Sequence, residues 1–402
     1  MNKTFLGAIT AALVISFSPF ASEASSGKGL NEPSKNPSVE KAAEKGSYAK
    51  GEVIVKFKDK LSKNSQQSIV SGVGAKSVED EDIVESPFTV LEVGNVEAVV
   101  HALNKNPNVE YAEPNYEMRM ASTPNDPYFS PYYQYGLFTT DTYLAWDLTR
   151  GDSEQEIAIL DTGVDYNHED LNDKTVIGYN FVNNDYHPID RNGHGTHVAG
   201  IAAAETNNGM GIAGTAPETS ILAVQVLDYS GSGTLDDVAD GIIFAADNGA
   251  EVINLSLGCD CNSQTMEDAV DYAWDKGSVL VAASGNDGVS TTFEPASYEN
   301  VIAVGAVDRN NNIAGFSNYG TWVDVMAPGV DIASTYIHYG YVYMSGTSMA
   351  SPNVAGLAGL LAGQGRDNEE IRNAIEDTAN YMSGIGSYVE HGLINSYDAV
   401  NY

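Results

Sequence analysis

The sequence predicts a doubly wound α/β domain, a parallel sheet between layers of helices, preceded by a small α+β domain. Three observations carry that prediction. From residue 156 onward, short runs of Val, Ile, Leu and Ala alternate with helix-compatible stretches. This is the pattern of a parallel sheet covered on both faces. Residues 48–116 instead fit a β-α-β-α-β order into a short span, which suits a small α+β unit. Charge is also partitioned. Residues 1–120 hold 13 Lys and Arg against 16 Asp and Glu, whereas residues 121–402 hold 7 against 39, so almost all the acidity lies in the second part.

Taken in order, Met1-Asn2-Lys3 gives a positive start and residues 5–17 an apolar run, with Pro19 and Ser22-Glu23-Ala24 after it. The run is too short to span a bilayer comfortably and reads as an export signal over residues 1–24, an anchor helix being the alternative. Residues 25–47, rich in Ser, Glu, Lys, Pro and Asn, read as a mobile linker. Strands are expected at 52–57, 88–93 and 109–112, and helices at 62–70 and 96–103. A turn-like stretch at 121–126, with Pro124 and Asn125, marks the boundary of a domain spanning 121–402. There, strands are expected at 156–160, 221–227, 252–257, 278–283 and 301–307, and helices at 194–204, 235–248, 264–276, 348–361 and 368–378. The net charge of −35 excludes a nucleic-acid partner, because a phosphate backbone would be repelled, and it suits a saline or calcium-rich setting. The two cysteines, Cys259 and Cys261, permit one disulfide in an oxidising compartment but do not form a disulfide scaffold.

Sites in such a sheet gather at the carboxyl ends of its strands. Three segments place polar residues there or at helix starts. The strand at 156–160 runs into Asp161-Thr-Gly163. Asn192-Gly-His194-Gly-Thr-His-Val-Ala-Gly200 sets a histidine at the start of a helix of small residues. Gly346-Thr-Ser348-Met-Ala-Ser-Pro352 sets a serine at another helix start. Each residue alone has a bland reading: a strand-end Asp as a turn or cap, a Gly-flanked His as structural, a helix-start Ser as an N-cap. Together they supply a nucleophile, the base it needs and the acid that orients the base. Ser348 would also sit where a helix N-terminus favours a developing anion.

These three blocks, in the order Asp…His…Ser, resemble the signature blocks of the subtilase family. The resemblance runs from about residue 125 to the end of the chain. It is closest to the thermitase-like branch and to extracellular Bacillus subtilases carrying the segment seen here at Ser256-Leu-Gly-Cys-Asp-Cys261. It implies a subtilisin-like serine endopeptidase in which Ser348 attacks, His194 relays the proton and Asp161 orients the imidazole. Asn286, within Ala283-Ser-Gly-Asn286, would complete the oxyanion hole beside the Ser348 N–H, a turn role before Asp287-Gly288 being its alternative. The family likeness makes Ser230, Gly231, Ser232 and Gly233, with Ser256, Leu257 and Gly258, two extended segments that pair with substrate backbone, from which broad specificity follows. Two positions depart from the pattern. Asn353 stands where histidine is usual. Phe293 and Glu294 stand at the floor of the primary pocket; either Phe293 narrows that pocket or a small deletion shifts the loop.

The resemblance further implies a propeptide at 25–120 whose inhibitor-like part, about 48–116, ends in Glu110-Tyr-Ala-Glu-Pro-Asn-Tyr116 and acts as folding aid and inhibitor, cut near Met120. It implies structural Ca²⁺ held by Asp126, Asp170, Asn208 and the carbonyls of Glu205, Met210 and Ile212, hard oxygen donors suited to that ion. A second site in 180–189 keeps Asp185 but has Asn180 and Asn183 where carboxylates are usual, and Ala296, Tyr298, Val301 and Asp324 resemble a weak cation site. The resembling proteases carry the cysteine pair, so a Cys259–Cys261 disulfide is expected beside the substrate-pairing segment. The expected product is a secreted monomer that acts on proteins and peptides and leaves the membrane once processed. Two rivals remain. One is a catalytically dead relative serving as a binding module, which turnover of a peptide would refute. The other is an esterase of another α/β fold, which would want a Gly-x-Ser-x-Gly elbow that Ser348 lacks.

Overall fold

The computed structural model describes residues 48–58, 61–77, 86–116 and 123–402. The expected signal (1–24), the linker (25–47) and the junction near Met120 lie outside the described residues. The chain divides into two units, parted between residues 122 and 123, and each folds around its own core.

In the first unit, strands β1 (Tyr48–Phe57), β2 (Lys76–Ser77), β3 (Thr89–Glu92) and β4 (Val109–Tyr116) form a sheet in the order β2-β3-β1-β4, all pairs antiparallel. Helices α1 (Lys63–Gly72) and α2 (Val96–Asn104) complete it. Ser62 and Asn95 cap them by accepting the N–H groups of Ser65 and Ala98. Val53, Val55, Leu91 and Leu103 fill the core. The two-residue β2 is an addition to the expected order, too short to leave a periodic signal.

The second unit is built on eight strands in the order β14-β11-β10-β9-β8-β5-β7-β6, each paired in parallel with its neighbours. They are β5 (Glu156–Asp161), β6 (Thr175–Asn180), β7 (Ser220–Gln225), β8 (Val252–Leu255), β9 (Val279–Ala283), β10 (Val301–Val307), β11 (Val325–Pro328) and β14 (Gly392–Leu393). A hairpin of β12 (Ile332–Tyr336) and β13 (Gly340–Met344) lies outside this sheet. The helices are α3 (Tyr135–Thr139), α4 (Thr142–Ala145), α5 (His194–Ala203), α6 (Leu235–Asp247), α7 (Gln264–Asp275), α8 (Thr347–Ala362), α9 (Asn368–Asp377) and α10 (Ser396–Asn401). Along β5, Ile157 and Ile159 join a core with Val198, Ala202 and Leu357 of α5 and α8, while Ala158 and Leu160 join one with Ile242 and Val270 of α6 and α7. Both faces are therefore covered, as the continuous apolar runs require. The five expected strands and five expected helices of this domain all form, with ends shifted by one or two residues. Among the described residues, no helix is long and apolar enough to cross a membrane.

Candidate active site

Asp161 ends β5, is fully buried and accepts the N–H of Thr162 at 2.7 Å. His194 opens α5 after Gly193, whose φ of +107° is one that side chains rarely adopt. Gly195 lets the helix start press onto the strand end: a Cβ there would sit 2.1 Å from the Gly163 carbonyl and 3.0 Å from the Asp161 Cβ. The result is a close pair. His194 Nδ1 lies 2.8 and 2.9 Å from the two carboxylate oxygens of Asp161. Burial by itself disfavours the imidazolium, but the charge and hydrogen bond of Asp161, with a further contribution from Asp190, leave the pKa of His194 above its ordinary value.

Ser348 is the second residue of α8. Pro352, four residues on, has no N–H to give the Ser348 carbonyl. Ser256 fills that role: its hydroxyl donates to Ser348 O at 2.9 Å, and the Ser348 hydroxyl donates back to Ser256 O at 3.2 Å. Asn254 donates to Ser256 Oγ at 3.0 Å and accepts from Ser351 Oγ at 2.8 Å, which extends the buried network. Ser256 directly follows β8, and the register Ile159↔Asn254 makes it level with Asp161 on the neighbouring strand. Adjacent strands lie about 4.8 Å apart, so the two anchoring points adjoin. The hydrogen bond from Ser348 Oγ to His194 is absent here, the hydroxyl being turned to Ser256. Asn286 comes just beyond the next strand, β9, where its Oδ1 accepts the N–H and the hydroxyl of Thr347 at 2.8 and 3.1 Å. That fixes the amide with its nitrogen left to donate, beside the start of the helix that carries Ser348.

The chain matches the subtilase family over residues 152–396, and the fervidolysin N-terminal prodomain over residues 34–115. The chain belongs to the subtilase family. It is 62% identical over 400 residues to a thermophilic serine proteinase of Bacillus sp. (strain AK1), covering 99% of this chain and 100% of that one. It is 57% identical to thermitase of Thermoactinomyces vulgaris over 280 residues, 70% of this chain and all of the relative. Among solved structures, a protease from Pseudoalteromonas arctica PAMC 21717 superposes with a TM-score of 0.62 at 33% identity, covering 70% of this chain and 99% of the other. The chain is thus a subtilisin-like serine peptidase of the thermitase-like branch.

Around this subtilase centre the remaining expected residues divide. Leu257 and Gly258 continue from Ser256 outside any strand, Leu257 half-buried and Gly258 exposed. Ser230 and Gly231 lie beside Asp228. They form a turn on Asp228, whose carboxylate accepts Ser230 N at 2.8 Å and Ser232 N at 3.1 Å, and Ser232 O accepts Asp228 N. The Phe293 ring lies against both Gly258 and Gly285, where an added Cβ would approach it to 2.4 and 3.2 Å. Glu294 holds the cysteine segment, pairing with Cys259 through two backbone hydrogen bonds of 2.9 Å and accepting Cys261 N on its side chain at 3.2 Å. The sulfurs of Cys259 and Cys261 meet, with their Cα atoms 5.3 Å apart. Asn353 donates to the carbonyls of Met349 and Pro328, a structural role.

Of the three expected cation sites, one fits. Asp126 and Asp170 are buried, and neither has a Lys or Arg partner among the described residues. Burial raises the pKa of Asp126, and the charge of Asp170 raises it further. Asn208 donates to Asp170 at 2.9 Å, and Asn207 N donates to both oxygens of Asp126 at 2.9 and 2.8 Å, so the same loop meets both carboxylates. The carbonyls of Glu205, Met210 and Ile212 accept no backbone hydrogen bond there. Two uncompensated carboxylates with an amide and free carbonyls form a hard-cation donor set. No group of three or more His, Cys, Asp or Glu placed to hold a metal ion occurs among the described residues. The loop 180–189 does not fit. Asp185 is its lone carboxylate and accepts His187 N at 2.9 Å, while Asn180 Oδ1 accepts Asn183 N. The last set does not fit either. Asp324 accepts Ala303 N at 2.7 Å and lies 3.6 Å from the Arg372 guanidinium, and the Tyr298 carbonyl is taken by Val301 N. Arg372 supplies the charge a cation would bring, and Ala296 has nothing left to complete.

Proposed function

We propose that this subtilase is a secreted endopeptidase in which Ser348 is the nucleophile, His194 its general base, Asp161 the orienting acid and Asn286 the oxyanion donor. The observation that carries the reading is the Asp161–His194 pair at 2.8 Å, its carboxylate fully buried, level on the sheet with the Ser256–Ser348 anchor. Substrate binding would displace the Ser348 hydroxyl from Ser256 O toward His194 Nε2. Its oxygen then attacks the scissile carbonyl as the proton passes to His194, and Asp161 stabilises the imidazolium. The charge that grows on the carbonyl oxygen meets the Asn286 amide and the N-terminus of α8. His194 next protonates the leaving amine, and water hydrolyses the acyl-enzyme by the same path in reverse. In this pose the peptide pairs along Ser256, Leu257 and Gly258 on one side and along Ser230, Gly231, Ser232 and Gly233 on the other.

The domain reading is a signal at 1–24, a propeptide at 25–120 and a peptidase at 121–402 that acts as a monomer. A calcium ion at the Asp126, Asp170 and Asn208 site would neutralise the two buried carboxylates and tie the first residues of the peptidase domain to the loop at Asn208. The Cys259–Cys261 disulfide would brace the segment after Gly258. The test is the Ser348→Ala precursor expressed alone: it is expected to stay uncut near Met120, and clean processing in a protease-free preparation would overturn the assignment.

A further inference from the structure

We propose that Asp190, two residues before the Asn192–Gly200 block, is a positioning residue for the His194–Asp161 pair and sets the charge against which His194 works. The proposal rests on the peptidase reading above. Asp190 is buried, and its carboxylate accepts five hydrogen bonds. Oδ1 takes Thr162 Oγ1 at 2.9 Å, Asn192 N at 2.8 Å and Gly193 N at 2.9 Å. Oδ2 takes Thr196 N at 2.9 Å and Thr196 Oγ1 at 2.7 Å. These donors flank the catalytic pair. Thr162 follows Asp161, and its hydroxyl also accepts Gly195 N at 3.0 Å; Asn192 and Gly193 precede His194 and Thr196 follows it. One carboxylate thus ties the exit of β5 to the entry of α5, and the position of His194 against Asp161 depends on both.

The charge has its own role. Every polar neighbour of the carboxylate is a donor, so an amide in its place would turn an N–H₂ against one of them. The groups facing His194 are few: Asp161 from β5, Asp190 from its own loop, His197 from α5 and Tyr336 from β12, whose ring covers Gly193 and whose hydroxyl donates to Asn192 O at 3.0 Å. Burial, then the charge of His194, hold His197 neutral, with its pKa at about 3. Burial likewise keeps the Tyr336 phenol neutral. Asp190 is therefore the second negative charge acting on His194, and it favours the imidazolium formed during catalysis.

The experiment compares wild type with Asp190→Asn and Asp190→Glu on a soluble chromogenic peptide at low salt, as pH profiles of kcat/KM. Asp190→Asn is expected to move the acid limb down by at least about half a pH unit, to lower kcat roughly tenfold and to leave KM within about twofold. Asp190→Glu, which keeps the charge but not the geometry, is expected to lose kcat with the acid limb in place. An acid limb unmoved in a folded, active Asp190→Asn protein would overturn the electrostatic role, and an unchanged kcat would overturn the positioning role. Should Asp190→Asn not fold, Thr162→Val carries the test. It removes one tie without removing the charge, and full kcat in that variant overturns the proposal. A wild type inert toward peptides would overturn the peptidase reading and this one together; an active wild type with unaltered variants overturns this one alone.

Discussion

At the scale of single residues, the centre works because each reactive side chain is held by groups that take no part in bond making. Asn286 shows this most simply. Its oxygen is occupied by the two donors of Thr347, so its nitrogen can point nowhere else at no further cost. An oxyanion hole needs such preorganisation, because a donor that must turn at the moment of reaction repays part of the energy it supplies. Replacing Asn286 by Leu, similar in size but without a donor, is expected to lower kcat by about 10²–10³, the loss seen for the corresponding donor in a related subtilisin, with KM little changed. Steady-state kinetics on one peptide would check it. A fall confined to KM would mean that Asn286 binds substrate rather than the transition state. Ser256 is a second such residue. Its hydroxyl satisfies the carbonyl that Pro352 leaves orphaned, and so locks the backbone of the nucleophile. The sequence shows Pro352 in plain view, but its partner comes from a strand 92 residues away, which no local pattern reveals.

At the scale of elements, two loops decide what the centre accepts and how long it survives. The Phe293 ring lies against Gly258, on the proposed substrate-pairing segment, and Gly285, next to the proposed oxyanion donor. The side chain that precedes the scissile bond must enter between those segments, so the space left for it is small. Main-chain pairing still admits many sequences, and the broad specificity expected from it narrows at this one position. Wild-type enzyme is expected to cleave after small residues, and Phe293→Ala to gain at least about tenfold in kcat/KM for Phe over Ala at that position, the discrimination that a few buried methylenes supply. A peptide library with that position varied reads it, and an unchanged ratio would show that the ring is not the wall. Survival is expected to depend on the loop after α5, where the proposed calcium ion would sit. A cation bound only by the folded protein stabilises it by about 2.7 kcal/mol at a hundredfold excess over Kd. Chelation is therefore expected to lower Tm and speed autolysis, Asp170→Asn to reproduce the loss, and an unaltered Tm would show that the two carboxylates hold no ion. What the sequence made legible at this scale follows burial. The strand β5 is an unbroken apolar run and was readable, as were its helices. The edge strand β6 was not, because Val176 and Ile177 lie exposed on it and Gly178 interrupts it. Nor was the β12–β13 hairpin, which turns through His338 and Tyr339 at φ of +63° and +60°, conformations that those residue types do not advertise. Asp190 was missed for another reason: a buried acid whose donors come from the residues just after it and from Thr162, 28 positions back, has no sequence signature.

At the scale of the whole molecule, the dominant quantity is charge. Residues 121–402 carry 39 acids against seven bases, a net charge of −32. Seven bases cannot pair with 39 acids, and the described ion pairs use few of them: Lys276 with Asp247, and Arg372 with Asp324 and Glu376. Most carboxylates must therefore face solvent or one another. Two unit charges about 8 Å apart in water repel by roughly 0.5 kcal/mol, and dozens of such pairs on one surface oppose the compact state. The unfolded chain spreads the same charges farther apart, so the repulsion is a cost to folding. Screening removes it over a length that falls from about 10 Å at 0.1 M salt to about 3 Å at 1 M. With calcium held saturating, so that the Asp126 and Asp170 pair stays neutralised, molar NaCl is expected to slow thermal inactivation. Most activity should survive, since the Asp161–His194 contact is buried and screened little. The competing account is that acidity and abundant glycine belong to activity in the cold, in which case salt has no favourable effect. Inactivation rates in dilute buffer and in about 2 M NaCl, where the Debye length is only a few ångströms, separate the two. Slower loss in salt supports the electrostatic account. Equal or faster loss would mean that the carboxylates are spaced widely enough for their repulsion not to matter, and that the acidity is not an adaptation to salt.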